Sequence, residues 1–586
     1  MSEVPSKLYV EAVKAATLVV LLAAALCFPS AGAGIFSRLQ RSFRALAARP
    51  GWSILAVALL PVLLRLAILP IYPAPEPRIH DEFGHLLLAD TFASGRITNP
   101  PHPYAASFEA VYILVHPTYT AQYQPALGVM LAAGKLLFGH PWAGIVVSTG
   151  LLSGALYWML RGWVPSAWAL LGSAMAALQI GVLDYWMNSY WGGTVPAIGG
   201  TIVLGALPRL SRSRGRAVYA IILAIGLAIV MNSRPVEAFL LGLVVCGWLL
   251  RLVLRTRELP LSVAVAQIVV PIGLIVAATL SGIGYYNWRV TGNAFEFPYM
   301  LHQKLNGTPQ PFWWQAPVSV SHFKNKEIEG DYLRQRMLHD RRSSPLAMLK
   351  ATVSRTLMAG LFYLGVSLAV PLLFIRSAWR EPQMKFVLAA GLPFALDHLT
   401  FHAFYPHYAA PECALLFLAV VLCWRHMRRW KWKAVPVGLA LSRTLPIVTV
   451  LGLAIPVAGK AAEPFLPADA TLVRRALDEL GGIPPARTGI VRQLESMGGP
   501  HLVFVRYRYP MHHPDNEWVR NAADIDASPI VWARELDPET NRALIHYYGN
   551  RRVWLLEPDV QPVALRPYPE TTQYLSVQRG TGGAGE

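Results

Sequence analysis

The sequence predicts a mainly α-helical, polytopic membrane protein with a small C-terminal α/β or α+β extracytoplasmic domain. Three observations predict it. The chain of 586 residues is 54% hydrophobic and only 15% charged, whereas ordinary soluble domains carry about 25% charged residues. Its apolar residues gather in long runs, and runs of roughly 18 or more read as helices that span a bilayer. After residue 458 the chain turns polar and proline-rich.

The candidate spans are residues 10–28, 52–71, 142–160, 165–183, 193–208, 217–232, 236–254, 262–283, 353–375, 384–400, 409–424 and 435–457. This corresponds to about 11–13 transmembrane helices. The formal net charge of +18 would suit nucleic acid, but the arginines do not share one soluble face. They fall between the apolar runs, as orientation signals do. Arg38 to Arg49, Arg161, Arg209 to Arg216, Arg255 and Arg257, Arg376 to Lys385, and Arg425 to Lys433 mark cytoplasmic loops. The opposite loops face outward: 72–141, 184–192, 233–235, 284–352, 401–408 and everything after 458. That assignment needs residues 124–138 not to span. The segment is short, carries Lys135 and ends at Gly139-His140-Pro141, so it reads as a re-entrant or outer-surface helix. Residues 10–28 resemble a signal peptide, but the arginines that follow mark a cytoplasmic loop, and the segment reads as an uncleaved extra helix.

Three regions result: 1–51, an extra helix and basic cytoplasmic loop; 52–458, the transmembrane domain; and 459–586, the C-terminal domain. In the first outer loop, Phe83, Leu87, Leu88, Thr91 and Phe92 recur at helical spacing, and Gly95 ends the helix. Asn99-Pro100-Pro101-His102-Pro103 cannot be helical. The loop 284–352 is rich in aromatic and basic residues, and Phe312-Trp313-Trp314 reads as an interfacial anchor. In the C-terminal region, 501–505 and 552–556 read as strands, and 470–480 as a helix. Cys27, Cys246, Cys413 and Cys423 lie in or beside apolar runs, with no metal spacing, and read as small buried apolar side chains.

The outward loops collect the polar residues that could carry chemistry. His80, Asp81 and Glu82 follow the second span. Asp184, Asn188, Tyr190 and Trp191 follow the fourth. Arg234 and Glu237 sit in a hairpin between spans, and Asp397, His398 and His402 lead into Phe404-Tyr405-Pro406-His407-Tyr408. With this topology all of them converge at one membrane surface. Adjacent acids at the mouth of a span are costly against hydrocarbon, roughly 2.5–3.5 kcal/mol each at the bilayer centre. Asp81-Glu82 is therefore the most informative pair, with a solvated loop or a helix cap as the plain alternative. His80 and His85 read as interface residues. Arg65, inside the second span, either pairs with an internal acid or snorkels.

An Asp-Glu pair in the first large outer loop, behind a transmembrane helix, resembles the GT-C glycosyltransferases. The pattern is similar to the protein O-mannosyltransferase and aminoarabinose-transferase branch. Tyr123-Gln124-Pro125-Ala126-Leu127 resembles the family's aromatic-Pro-Pro-Leu element, with Gln124 where a first proline is common. Tyr405-Pro406-His407-Tyr408-Ala409-Ala410-Pro411 is similar to the family's His/Arg-Tyr-xx-Pro element. The resemblance covers about residues 50–430. It implies a GT-C-like fold, Asp81 as catalytic base and Glu82 as its neighbour. It also implies an inverting transfer from a polyprenyl-phosphate sugar to a glycan, lipid or protein acceptor.

The chemistry suits these residue types. A lipid phosphate is already a good leaving group, so one base suffices where glycosidases need two carboxylates. Arg234, then His407, are the candidates to meet the departing phosphate. Tyr408 and Tyr123 join them as substrate-binding candidates, and Asp184, Asn188 and Tyr190 could orient the sugar. No cofactor is required. Mg²⁺ or Mn²⁺ held by Asp81, Glu82 and Asp184 is compatible with the carboxylates. The expected partners are the lipid-linked donor, the acceptor and membrane lipids, with no nucleic acid. The expected location is a bacterial inner membrane, with the site and the C-terminal domain outside. The rival reading is a lipid or glycolipid transporter or flippase, which would bury ionisable residues within several spans. A non-catalytic scaffold is the third.

Overall fold

The computed structural model of the chain describes residues 3–28, 33–211, 216–255, 260–307, 312, 315, 323, 325–340, 344–400, 404–465, 467, 486–508 and 517–569. The helix expected at 470–480, Trp313, Trp314 and His402 lie outside the described residues. The chain divides into two compact units. One comprises Met1–Pro75, Trp142–Gly282 and Pro345–Ile483; the other comprises Glu76–Pro141, Ile283–Ser344 and Pro484–Glu586.

The first unit is a bundle of helices, and a helix stands at every expected span. Among the described residues, six are long and apolar enough to cross a membrane: Leu8–Cys27, Pro50–Ala67, Trp142–Trp163, Pro235–Leu254, Leu261–Thr291 and Val437–Phe465. Ser166–Ile180, Thr194–Leu210, Arg216–Met231 and Cys413–Met427 are apolar but shorter. Apolar runs overshoot such helices because they continue into the turns. The run 165–183, for example, passes Gly181, where the helix has already been capped.

Lipid supplies no hydrophobic force to pull helices together, so small residues must let them approach. Gly199 and Gly226 do this reciprocally: a Cβ on either would lie 2.7 Å from the other's carbonyl oxygen. All four cysteines are free thiols. Cys413 and Cys423 are buried as expected, whereas Cys27 and Cys246 face outward.

One expected span is broken. Where the sequence reads as continuous over 353–375, the helix stops at Tyr363, and Gly365–Ala378 leaves at 103°. Gly365 has φ +50°, in the left-handed region that favours glycine. The amide of the next residue, Val366, donates to Glu11 Oε2 at 2.6 Å. Glu11 in turn accepts from Lys14 Nζ at 2.6 Å, and both side chains are buried. The acid of the first helix thus satisfies a backbone group freed by the bend.

Arg65 follows neither sequence alternative. Its fully buried guanidinium donates to Asn188 Oδ1 at 2.8 Å and to the carbonyls of Tyr72 and Pro73 at 2.7 and 2.8 Å. It also lies 4.7 Å from the centre of the Trp142 ring. It therefore ties the end of its own helix to the 184–192 loop.

The second unit is built around a four-stranded sheet. β1 (Ile113–Leu114) and β2 (Thr120–Ala121) form a separate short antiparallel pair. β3 (His501–Val505), β4 (Ile530–Arg534), β5 (Arg552–Leu556) and β6 (Leu565–Pro567) lie in the order β4-β3-β5-β6. β3 runs parallel to both neighbours, and β6 is antiparallel to β5. β3 and β5 are the two strands read from the sequence. Every residue of β3 is buried, as befits a central strand of a parallel sheet covered on both faces. Leu502 and Phe504 pack into a core with Val531 and Leu544, which also takes in Leu87, Phe108 and Tyr119 of the long segment between Pro75 and Trp142.

The proline-rich stretch of that loop is held by His102. Its Nε2 lies 3.1 Å from Asp526 Oδ1, and the hydroxyls of Tyr547 and Tyr548 bond the same carboxylate. Burial pushes the Asp526 carboxyl up, but these three partners outweigh it and hold the group below the usual carboxylate range.

Two predictions follow from these contacts. Arg65→Met should leave Asn188 Oδ1 and the carbonyls of Tyr72 and Pro73 without their guanidinium donor and cost about 3 kcal/mol, measured as a lower unfolding midpoint in detergent. A depressed carboxyl contributes stability that is present above the unfolded value of about 3.9 and is lost as pH falls through the folded value. Asp526→Asn should therefore shrink the fall in unfolding midpoint that acid produces, measured by thermal unfolding in detergent at neutral and at acidic pH.

Candidate functional site

The candidate residues form two groups. Asp81, Glu82 and Tyr123 lie in the second unit; Asp184, Asn188, Tyr190, Arg234, His407 and Tyr408 lie in the first.

Asp81 and Glu82 occupy the first turn of the helix His80–Ala93. A carboxylate there meets unpaired backbone N–H groups and the positive end of the helix dipole. Glu82 uses this directly: its buried Oε2 accepts from the amides of Arg78 and Ile79 at 2.7 and 3.2 Å. It thereby fixes how the chain enters the helix. Asp81 is held differently, by the Tyr123 hydroxyl, which donates to its Oδ1 at 2.8 Å. Burial first, then the Asp81 charge, hold the Tyr123 phenol well above its ordinary value. It therefore stays a proton-bearing donor.

Gly84 makes this bond sterically feasible. A Cβ there would lie 2.5 Å from Tyr123 Cε2. The ring occupies that space, one helical turn from Asp81. His85 stacks on the tyrosine ring, with centroids 4.3 Å apart, and Tyr112 meets it edge-on at 6.2 Å. The Tyr286 hydroxyl donates to the Tyr123 carbonyl at 3.3 Å. His80, expected at an interface, is buried, with Nδ1 3.8 Å from Glu517 Oε2. Glu517 is itself paired with Arg534 at 2.9 Å.

In the first unit, the Arg234 guanidinium lies 4.1 Å from the centre of the Tyr408 ring, and Nη1 lies 3.8 Å from Glu237 Oε1. Stacking uses the face of a guanidinium and leaves its in-plane N–H fork for a planar or tetrahedral anion. The Tyr185 hydroxyl accepts from the His407 amide at 3.1 Å and lies 3.1 Å from His407 Nδ1. Burial holds the Tyr185 phenol well above its ordinary value. Which of the two donates in the Tyr185–His407 Nδ1 bond depends on the imidazole tautomer; a donating phenol goes with the imidazole proton on Nε2. Trp191, Tyr405 and Tyr408 surround the His407 ring, with centroids 4.7, 5.7 and 4.8 Å away. Asp397 and His398 gather with Glu412, whose Oε1 lies 2.5 Å from His398 Nε2.

The loop after Ile180 is braced by its own polar groups. Asp184 Oδ1 accepts from the Tyr185 amide at 2.6 Å. Asn188 Nδ2 donates to the carbonyls of Val182 and Asp184 at 3.0 and 2.9 Å, while its Oδ1 binds Arg65. The Tyr190 hydroxyl donates to the Pro75 carbonyl at 2.9 Å. Among the described residues, no group of three or more His, Cys, Asp or Glu side chains is placed to hold a metal ion.

Gly84 and Tyr185 were not singled out in the sequence. Gly84 carries a signal, a glycine one turn beyond an acid. The partnership of Tyr185 with a residue 222 positions away carries none.

No family model matches the chain, and no curated protein matches it. Among solved structures it is similar to ArnT from Cupriavidus metallidurans in the apo state, at 14% identity and a TM-score of 0.46, over 90% of this chain and 95% of that one. The same protein bound to undecaprenyl phosphate gives 14% identity and a TM-score of 0.44, over 90% and 95% of the two chains. The oligosaccharyltransferase of Archaeoglobus fulgidus in its apo form gives 11% and 0.41, over 78% of this chain and 62% of that one. At such identities and scores the likeness carries no argument about family or reaction.

Gly84→Ala should push the Tyr123 ring off Asp81 and cost about 1–3 kcal/mol in overpacking. Thermal unfolding beside Tyr123→Phe would check it. The phenylalanine variant, which keeps the ring and loses only the hydroxyl, should be the milder of the two.

Proposed function

We propose that the protein is an integral-membrane glycosyltransferase of GT-C type. In this reading it takes a sugar from a polyprenyl-phosphate donor and transfers it, with inversion, to a glycan, lipid or protein acceptor. The reaction takes place on the extracytoplasmic side of a bacterial inner membrane. The single observation that carries the reading is the Asp81 carboxylate, set in the first turn of a helix and gripped by the buried Tyr123 phenol. The sequence resemblance had already marked Asp81 for the role of base.

In the proposed step, Asp81 removes the proton of an acceptor hydroxyl as its oxygen bonds to the anomeric carbon. The bond from that carbon to the phosphate oxygen breaks, its electron pair leaves with the lipid phosphate, and the proton stays on Asp81 until solvent takes it. Tyr123 fixes the direction of the carboxylate, and Glu82 sets the turn that carries it. Arg234 and His407 would bind the phosphate and its developing charge, with the Tyr408 ring beneath Arg234. Asp184, Asn188 and Tyr190 would act by holding their loop in shape for the sugar. No step needs a metal ion, and among the described residues the carboxylates marked for Mg²⁺ or Mn²⁺ do not form a group placed to hold one.

A lipid transporter or flippase is the second reading. The buried Glu11–Lys14 pair at a broken helix favours it, since such ionisable groups mark transport pathways.

The test is incubation of the purified protein in nanodiscs with labelled polyprenyl-phosphate sugars and a cell-envelope extract that supplies glycan, lipid and protein acceptors. Release of free lipid phosphate is expected from the wild type. Asp81→Asn should lose a factor of about 10²–10⁴ in rate while its amount in the membrane stays the same. Arg234→Gln should raise the donor KM. Undiminished turnover by the Asp81→Asn protein would sink the assignment. In sealed proteoliposomes, movement of intact donor from one leaflet to the other without its consumption would favour transport.

A further inference from the structure

A cavity of about 440 Å³ in the first unit has no part in the steps above. Ile375, Arg376, Trp379 and Arg380 line it. Ile375–Ala378 is a single helical turn, and Trp379 and Arg380 continue the chain as a turn ahead of the helix Pro382–Thr400. Neither arginine has an ion-pair or hydrogen-bond partner among the described residues. The acid next in sequence, Glu381, is already engaged: its Oε2 lies 3.3 Å from Arg425 Nη1 and its Oε1 2.7 Å from His426 Nε2. Two guanidinium groups therefore border one space with no carboxylate to answer them.

The surroundings are aromatic and apolar as well as basic. Trp379 is 55% exposed and Leu373 is 79% exposed. The Phe374 ring lies 5.5 Å from that of Trp430. Trp430 belongs to the exposed run Arg429-Trp430-Lys431-Trp432-Lys433. Tryptophan rings and cations gather together at the headgroup level of a bilayer.

We propose that this cavity binds the headgroup of an anionic phospholipid. Arg376 and Arg380 hold the phosphate oxygens, Trp379 borders the headgroup, and Ile375 is the apolar wall. The chemistry narrows the ligand. Guanidinium forks match phosphate oxygens. A zwitterionic headgroup brings a cation that two arginines repel. A free phosphate has nothing to set against Ile375. The inference needs the helices to lie in a membrane and does not rest on the glycosyltransferase reading.

The experiment is native mass spectrometry of the full chain released from detergent, offered phosphatidylglycerol, phosphatidylcholine and inorganic phosphate in turn. The wild type should retain phosphatidylglycerol in preference to the other two. The double variant Arg376→Gln/Arg380→Gln should bind it about tenfold or more weakly. Its unfolding temperature without lipid should match that of the wild type, since both side chains are exposed and unpaired. Arg429→Gln/Lys431→Gln removes the same charge nearby and should keep most of the affinity. Arg376→Lys/Arg380→Lys, with both charges but no forks, should fall between the wild type and the glutamine pair.

Equal losses in the two glutamine pairs would overturn the inference, since general attraction of a basic surface then accounts for the binding. Retention of phosphatidylcholine as strong as that of phosphatidylglycerol would overturn it too. So would inorganic phosphate binding as tightly as the lipid, since the site would then belong to a soluble anion.

Discussion

A charge withdrawn from water into an apolar bundle must find partners, and this constraint shapes the first unit more than any single packing contact. Arg65 is buried without a carboxylate, so it takes two carbonyls and an amide oxygen. Glu11 is buried beside Lys14 and a backbone N–H. Each charge fixes irregular backbone that helical hydrogen bonds could not satisfy. In lipid such backbone persists only where the protein itself supplies the missing partners. The polar loop carrying Asp184 and Asn188 is held by the same rule.

The long apolar runs and the two strands at 501–505 and 552–556 were legible because their signals are local. Hydropathy reports burial along a run, and β-branched and aromatic enrichment reports a strand. The break at Gly365 was not legible, because a glycine within an apolar run reads like any other small residue until a distant acid supplies the missing hydrogen bond. Arg65 was visible as an anomaly, yet its partners were not, since backbone carbonyls carry no mark in a sequence. The units themselves were hard to foresee. Leu87, Phe108 and Tyr119 share a core with strands some four hundred positions later.

In the candidate site, the sequence pointed to Asp81 and Glu82 together, and the structure separates their situations. Glu82 binds backbone amides, as an acid at the third position of a helix commonly does. Asp81 is gripped by a side chain. The difference depends on the 123–124 segment approaching the helix, which Gly84 permits. Asn188 and Tyr190 were marked by residue type alone, and their hydrogen bonds are with their own fold. Sequence marks polar residues but does not distinguish their duties, because duty depends on which partner each atom finds.

The contact between Glu11 and Val366 joins residues 355 positions apart. On a ribosome the first helix is complete long before the bend has been made. That helix must therefore wait in the membrane, its acid accompanied only by Lys14, until more than half of the chain has followed. The kink and the first helix then complete each other, so the architecture closes late in synthesis even though it begins with an early piece.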